Sequence, residues 1–285
     1  MKYFEQTISS GGIDIVLSVW EASDAKAVIV FVPATMVHPL FYKPLLQGFA
    51  ERGITVVGVH PVGHGKSSRE HKRFTISDII ENARDAVSFA LTRYDGLPVV
   101  AMGSSQGGIV ASALAAEDER LAAAFCHNVM LTELPDSIRI TRFPAFLRHV
   151  YKPLKSIFRC FVRLLPDLQL PLGFYLERKR ISADPTVWEA VDNDPLCLKT
   201  YSLHFLASLF TTRFKGLTDG SIRCPLYIIS DNGDRLFSKE YTTQIFNMLQ
   251  APCKEMLTFN FNDHMLLFTH PQDVCERLAA KIHEN

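Results

Sequence analysis

Pro98-Val99-Val100-Ala101-Met102 runs directly into Gly103-Ser104-Ser105-Gln106-Gly107-Gly108. The first five residues form an apolar run of the kind that suits a strand buried on both faces. Residues 106–117 read as the helix that follows. Glycines two before and two after Ser105 complete a G-x-S-x-G pattern at a strand–helix junction, a nucleophile elbow. The turn is so tight that the serine must take a strained backbone conformation, and small residues two positions away let strand and helix approach. The Ser105 hydroxyl then projects from the sheet beside the positive end of the helix dipole. A glycine-rich turn with an ordinary serine would share the pattern, so the reading needs partners elsewhere in the chain.

Outward from this junction, further apolar runs recur at 26–32, 54–59, 225–229 and 256–259. Residues 3–9 and 14–20 alternate around Ser9-Ser10-Gly11-Gly12, a hairpin signal. Helical segments are expected at 39–52, 77–94 (with Ser77 as N-cap), 106–117, 238–250 and 271–283. Strand–helix alternation on this scale predicts an α/β fold with a mostly parallel sheet. The alternation breaks between about 130 and 215, where prolines interrupt irregular helices and no strand is evident. The expectation is one catalytic domain, residues 1–129 and 216–285, with residues 130–215 inserted as a helical lid.

A serine hydroxyl is a weak nucleophile at its own pKa and needs a base, which in turn needs an orienting carboxylate. Loops after the later strands offer both. Ser230-Asp231-Asn232-Gly233-Asp234 follows one strand, and Asn262-Asp263-His264 follows the next. His264 is the expected base; His270 precedes Pro271 at a helix start and His283 lies in the tail. Asp234 and Asp231 are both open as the acid, the other serving as a turn or cap.

These residues resemble the serine hydrolases of the α/β-hydrolase superfamily, in the branch of monoacylglycerol lipases, lysophospholipases and serine aminopeptidase S33-like proteins. The resemblance covers nearly the whole core. It includes the Ser105 elbow, Gly63-His64-Gly65-Lys66-Ser67, Asn193-Asp194-Pro195-Leu196, the Asp234 loop and Asp263-His264-Met265. It implies an α/β-hydrolase fold and places Asp234 at the position of the acid. It also implies an oxyanion hole from the backbone N–H groups of Thr35 and Gln106, with Met36 N–H as the neighbouring alternative. One departure stands at this point. The family usually carries His-Gly after its third strand, and here the chain reads Val32-Pro33-Ala34-Thr35-Met36.

The resulting expectation is a serine esterase acting on a small lipid-like monoacyl ester, with no cofactor. Met36, Phe143, Phe146, Phe158 and Phe161 are the candidates to line the substrate site and lid. Thioester, amide or peptide cleavage, and a non-catalytic ligand-binding homologue, are the competing readings. His60-Pro61-Val62-Gly63-His64-Gly65-Lys66-Ser67 imitates a phosphate loop, but His60 replaces the required glycine and Pro61 removes a donor. No H-E-x-x-H spacing suggests a metal. Cysteines 126, 160, 197, 224, 253 and 275 form no CxxC pair and read as buried free thiols. The N-terminus lacks an apolar signal region and no apolar run reaches a membrane span, so a cytoplasmic protein is expected.

The 30 basic and 30 acidic residues cancel, which gives no global attraction to nucleic acid. The balance is uneven, however. Residues 139–180 hold ten basic and two acidic residues, a net of +8, which leaves −8 on the rest of the chain. Lys152, Lys155, Arg159 and Arg163 recur at helical spacing opposite Leu154, Ile157, Phe158 and Phe161. Such a helix packs its apolar face on the core with its charges solvated, makes weak peripheral contact with a membrane surface, or meets an acidic protein partner.

Overall fold

A computed structural model describes residues 1–284. The strands are β1 (Lys2–Ser10), β2 (Ile13–Glu21), β3 (Ala27–Val32), β4 (Ile54–His60), β5 (Val99–Ser104), β6 (Ala123–His127), β7 (Gln169–Pro171), β8 (Thr200–Ser202), β9 (Leu226–Asp231) and β10 (Lys254–Phe259). The helices are α1 (Lys43–Glu51), α2 (Ile76–Arg93), α3 (Gln106–Glu117), α4 (Tyr151–Leu164), α5 (Leu172–Tyr175), α6 (Arg178–Ile181), α7 (Pro185–Asn193), α8 (Leu203–Thr211), α9 (Lys239–Met248), α10 (Leu266–Thr269) and α11 (Pro271–Ile282).

Eight strands form one sheet in the order β1-β2-β4-β3-β5-β6-β9-β10. The β1–β2 hairpin turns on Gly11 and Gly12, both at positive φ, and β2 meets β4 antiparallel. The remaining pairs are parallel. Every residue of β3, β4, β5, β6 and β9 is buried, which explains why they read as unbroken apolar runs. Helix α1 packs on α11 and α2 on α3, so helices cover both faces. The parallel strands all point their carboxyl ends to one edge, where ligands bind in open α/β sheets.

Several local expectations change. Helix α2 is capped by Thr75, not Ser77. Its hydroxyl accepts the Asp78 N–H while the Asp78 carboxylate accepts the Thr75 N–H, a reciprocal capping box. The 39–52 segment opens with a 3-10 turn, Pro39–Tyr42, before α1. Strand β6 was not expected: five residues, two of them alanine, give too weak an apolar signal. The 130–215 stretch holds α4 to α8 but also a short antiparallel pair, β7 with β8. Cys160 and Cys253 are exposed rather than buried. Among the described residues no helix is long and apolar enough to cross a membrane.

Candidate active site

Ser105 sits between β5 and α3 at φ 51° and ψ −111°, outside the ordinary regions for an L-residue. The neighbouring glycines show why the backbone is held there. A Cβ on Gly103 would lie 1.9 Å from the Gly107 carbonyl oxygen, and one on Gly107 would lie 2.0 Å from that of Val32. Strand, turn and helix touch backbone to backbone. Ser105 N–H donates to the His127 carbonyl at 2.9 Å, which ties the elbow to β6.

The loop after β10 brings His264 to this serine. His264 Nδ1–H donates to Asp234 Oδ2 at 2.8 Å. That fixes the proton on Nδ1 and leaves Nε2 as acceptor for the Ser105 hydroxyl at 3.0 Å. His264 and Asp234 are both buried. The other Asp234 oxygen, Oδ1, accepts the Leu236 and Phe237 N–H groups at 2.7 and 2.9 Å. Burial raises the Asp234 pKa, but the facing His264 and the backbone donors outweigh it and hold the carboxyl below its ordinary value. The His264 ring lies parallel to Phe237 at 5.6 Å and tilted against His127 at 5.1 Å. Asp231 is placed elsewhere: its carboxylate accepts the N–H groups of Gly233, Phe261 and Asn262, and so pins the two loops together. His270 stacks on Phe261, and His283 donates to the Arg52 carbonyl.

The three oxyanion candidates are not equivalent. Met36 N–H is already committed, donating to the Tyr201 hydroxyl at 2.9 Å. Thr35 and Gln106 N–H have no protein acceptor among the described residues. Met36 itself stands at φ 65°, a left-handed conformation that favours glycine. Tyr201 explains how it is held there. His64 Nδ1–H donates to the Val62 carbonyl at 2.8 Å, so its Nε2 accepts the Tyr201 O–H at 2.6 Å. The hydroxyl is left with its lone pairs turned to Met36. Leu198 N–H donates to the Met36 carbonyl, and Asp194 meets His38 Nε2 at 2.8 Å. The Gly63–Ser67 turn and the Asn193–Leu196 stretch therefore brace one strand end from two sides.

A cavity of about 130 Å³ opens beside Ser105 and His264. Met36 lines it, together with Leu172, Leu176, Val187, Trp188 and Leu198. The four candidate phenylalanines do not. Phe143 and Phe158 line a different cavity, and Phe146 and Phe161 are exposed. The charged groups at the rim are occupied: Arg178 makes two hydrogen bonds to Asp192, at 2.7 and 2.8 Å, and Lys199 donates to the Val191 and Asp192 carbonyls. Two clusters bring metal-ligating atom types within 4.8 Å, His38/Asp194/Cys197 and His127/Asp234/His264. In each the carboxylate is already hydrogen-bonded to a histidine.

A family model described as serine aminopeptidase, S33, matches residues 23–270. The chain belongs to this family. A curated relative, the monoacylglycerol lipase of Mycolicibacterium smegmatis, is 27% identical over 191 residues, 65% of this chain. The match spans 62% of that relative's length. Among solved structures, a soluble variant of the monoglyceride lipase from Saccharomyces cerevisiae aligns at TM-score 0.78 and 14% identity, over 99% of this chain and 95% of the other. A carboxyl esterase from Bacillus coagulans gives 0.75 at 15% identity, over 100% and 99%. The monoacylglycerol lipase of Paleococcus ferrophilus gives 0.70 at 17%, over 98% and 99%. At such identities the likeness speaks for the fold, and the fold is that of the α/β hydrolases.

Within this S33-family chain, three residues beside the site escape a sequence reading. Asn128 stands at φ 68° after β6, its amide 3.3 Å from Asp234 Oδ2. His127 is buried against the His264 ring, and burial pushes its pKa down to about 3, so it stays neutral beside the site. Tyr201 lies 96 positions beyond Ser105, in the stretch with the weakest periodicity. The one signal toward any of them is Gly63-His64-Gly65, whose His64 accepts the Tyr201 hydroxyl proton.

Proposed function

We propose that the chain is a serine hydrolase that cleaves carboxylic esters through an acyl-enzyme on Ser105. The observation that carries this reading is the hydrogen-bonded series Ser105 Oγ, His264, Asp234 at 3.0 and 2.8 Å on a strained elbow. Ser105 Oγ attacks the ester carbonyl as His264 Nε2 takes its proton. His264 then gives that proton to the departing alcohol. Water repeats the sequence and frees the acid. Asp234 holds the tautomer and stabilises the imidazolium. The uncommitted N–H groups of Thr35 and Gln106 receive the oxyanion; one such donor is worth roughly 3 kcal/mol in the transition state. Tyr201 and His64 position that hole by keeping Met36 in its left-handed conformation.

The substrate best supported is a small monoacyl ester of lipid character. The cavity beside Ser105 is walled by aliphatic side chains and Trp188. The M. smegmatis relative is named a monoacylglycerol lipase. Cleavage after a free peptide amino group, which the family description suggests, would need an open carboxylate near Ser105. The Asp192 carboxylate at the cavity is taken by Arg178. Residues 130–215 act as a lid over the 1–129 and 216–285 core. In α4 only Tyr151 is buried, and Ile157, Phe161 and Leu164 are exposed next to its basic residues, so this helix makes peripheral contact with a lipid surface.

Hydrolysis of p-nitrophenyl esters from acetyl to hexanoyl tests the reading. Rates should rise with chain length and vanish in Ser105→Ala. A steep fall with length would remove the lipid preference, and full activity in Ser105→Ala would remove the mechanism.

A further inference from the structure

A second cavity, of about 400 Å³, lies between α4 and α8 and shares no lining residue with the cavity beside Ser105. Residues 170–176 divide the two. Leu172 and Leu176 face Ser105, whereas Leu170, Phe174 and Tyr175 face the second space. Its size falls within the ~300–1,000 Å³ usual for small-molecule sites, and the cavity beside Ser105 falls below it.

The second cavity is walled almost wholly by carbon, with Leu154, Phe158, Phe174, Leu206 and Phe210 among its lining. One charged residue lines it, Lys155. Lys155 Nζ lies 5.3 Å over the Tyr151 ring and donates to the Thr132 carbonyl at 2.9 Å, which uses one of its three N–H donors. An apolar space whose one charged lining group is a half-buried ammonium suits an unbranched chain ending in an anion. We infer that the cavity between α4 and α8 binds a long-chain fatty acid, its carboxylate against Lys155 and its chain among Phe158, Phe174 and Phe210.

The surroundings support an anion rather than a neutral head group. Burial and the nearby Arg159 lower the Lys155 pKa, so an arriving carboxylate would relieve an unfavourable position. Glu133 opposes this in part. The exposed Phe143 and Phe174 flank the space, next to the apolar face of α4. A fatty acid is also the acid released from a lipid monoester, but the inference concerns binding alone and does not depend on the role of Ser105.

Fluorescence titration with cis-parinaric acid and with its methyl ester, both on the full-length Ser105→Ala protein, is the test. The acid should bind saturably at one site, at least tenfold more tightly than the ester. Lys155→Met should erase most of that tenfold difference, while Phe158→Ala should weaken acid and ester alike. The acid–ester comparison on protein unaltered in the second cavity guards against misfolding of either variant. Equal binding of acid and ester, no binding, or binding indifferent to both substitutions would each overturn the proposal. Failure of ester hydrolysis by the unaltered enzyme would count against the acyl-enzyme reading and leave this result unaffected.

Discussion

Tyr201 spends its one hydroxyl on two tasks, accepting Met36 N–H and donating to His64. Tyr201→Phe leaves both partners buried without it, at a cost of ~1–3 kcal/mol. If the ring still packs, the loss falls on the geometry of the segment that carries Thr35 and Met36. Steady-state kinetics should then show kcat lower by about 10- to 100-fold with KM little changed. A rise in KM alone would mean that Tyr201 serves substrate binding instead. The two aspartates separate in the same way. Asp234→Asn should cut kcat by roughly 10⁴-fold through the wrong His264 tautomer. Asp231→Asn should spare kcat and lower the melting temperature, because Asp231 binds three backbone N–H groups. That Ser105, Asp234 and His264 meet was legible in the sequence, because each carries its own chemistry on a loop after a strand. Tyr201, His127 and Asn128 were not, because their positions depend on contacts between distant parts of the chain.

Among elements, the β5–α3 junction is the most tightly determined. Gly107→Ala would push a methyl group to 2.0 Å from the Val32 carbonyl oxygen, with backbone on both sides and no side chain to give way. A loss of about 3 kcal/mol is expected in urea unfolding. An unchanged midpoint would show the elbow to be looser than its contacts imply. The central strands other than β6 were legible because burial on both faces leaves a continuous apolar run. β6 was hidden by its length and its alanines, and the Thr75 cap by the equally suitable Ser77 two residues on. The phenylalanines of the 130–215 stretch fell outside the cavity beside Ser105 because periodicity reports which residues are apolar, not which of two cavities they face. Phe158 belongs to α4, on the far side of residues 170–176 from Ser105.

At the scale of the molecule, neutrality conceals two distributions. One is the +8 stretch on a −8 remainder. The other is a set of buried histidines. Burial pushes His60 and His127 down to about 3 and His64 to about 4, against an ordinary 6.5. The unfolded chain therefore takes up protons below pH 6.5 that the fold refuses, and stability falls as pH falls through that window. Asp234 contributes in the same direction at lower pH, since a depressed carboxyl loses its contribution only as it protonates. The three histidines together should remove about 4 kcal/mol between pH 7 and pH 5.5, and lower Tm by roughly 10 °C. Calorimetry across that range checks it, and a flat Tm would show that these imidazoles are charged in the fold.

The central claim is that His264 and Asp234 activate the Ser105 hydroxyl. Intact-protein mass spectrometry after treatment with an alkyl fluorophosphonate tests it most directly. The folded protein should gain one phosphonyl group, mapped by peptide analysis to Ser105. His264→Ala should react far more slowly and Ser105→Ala not at all. A folded protein that gains no adduct, or gains it on another residue, would contradict the account.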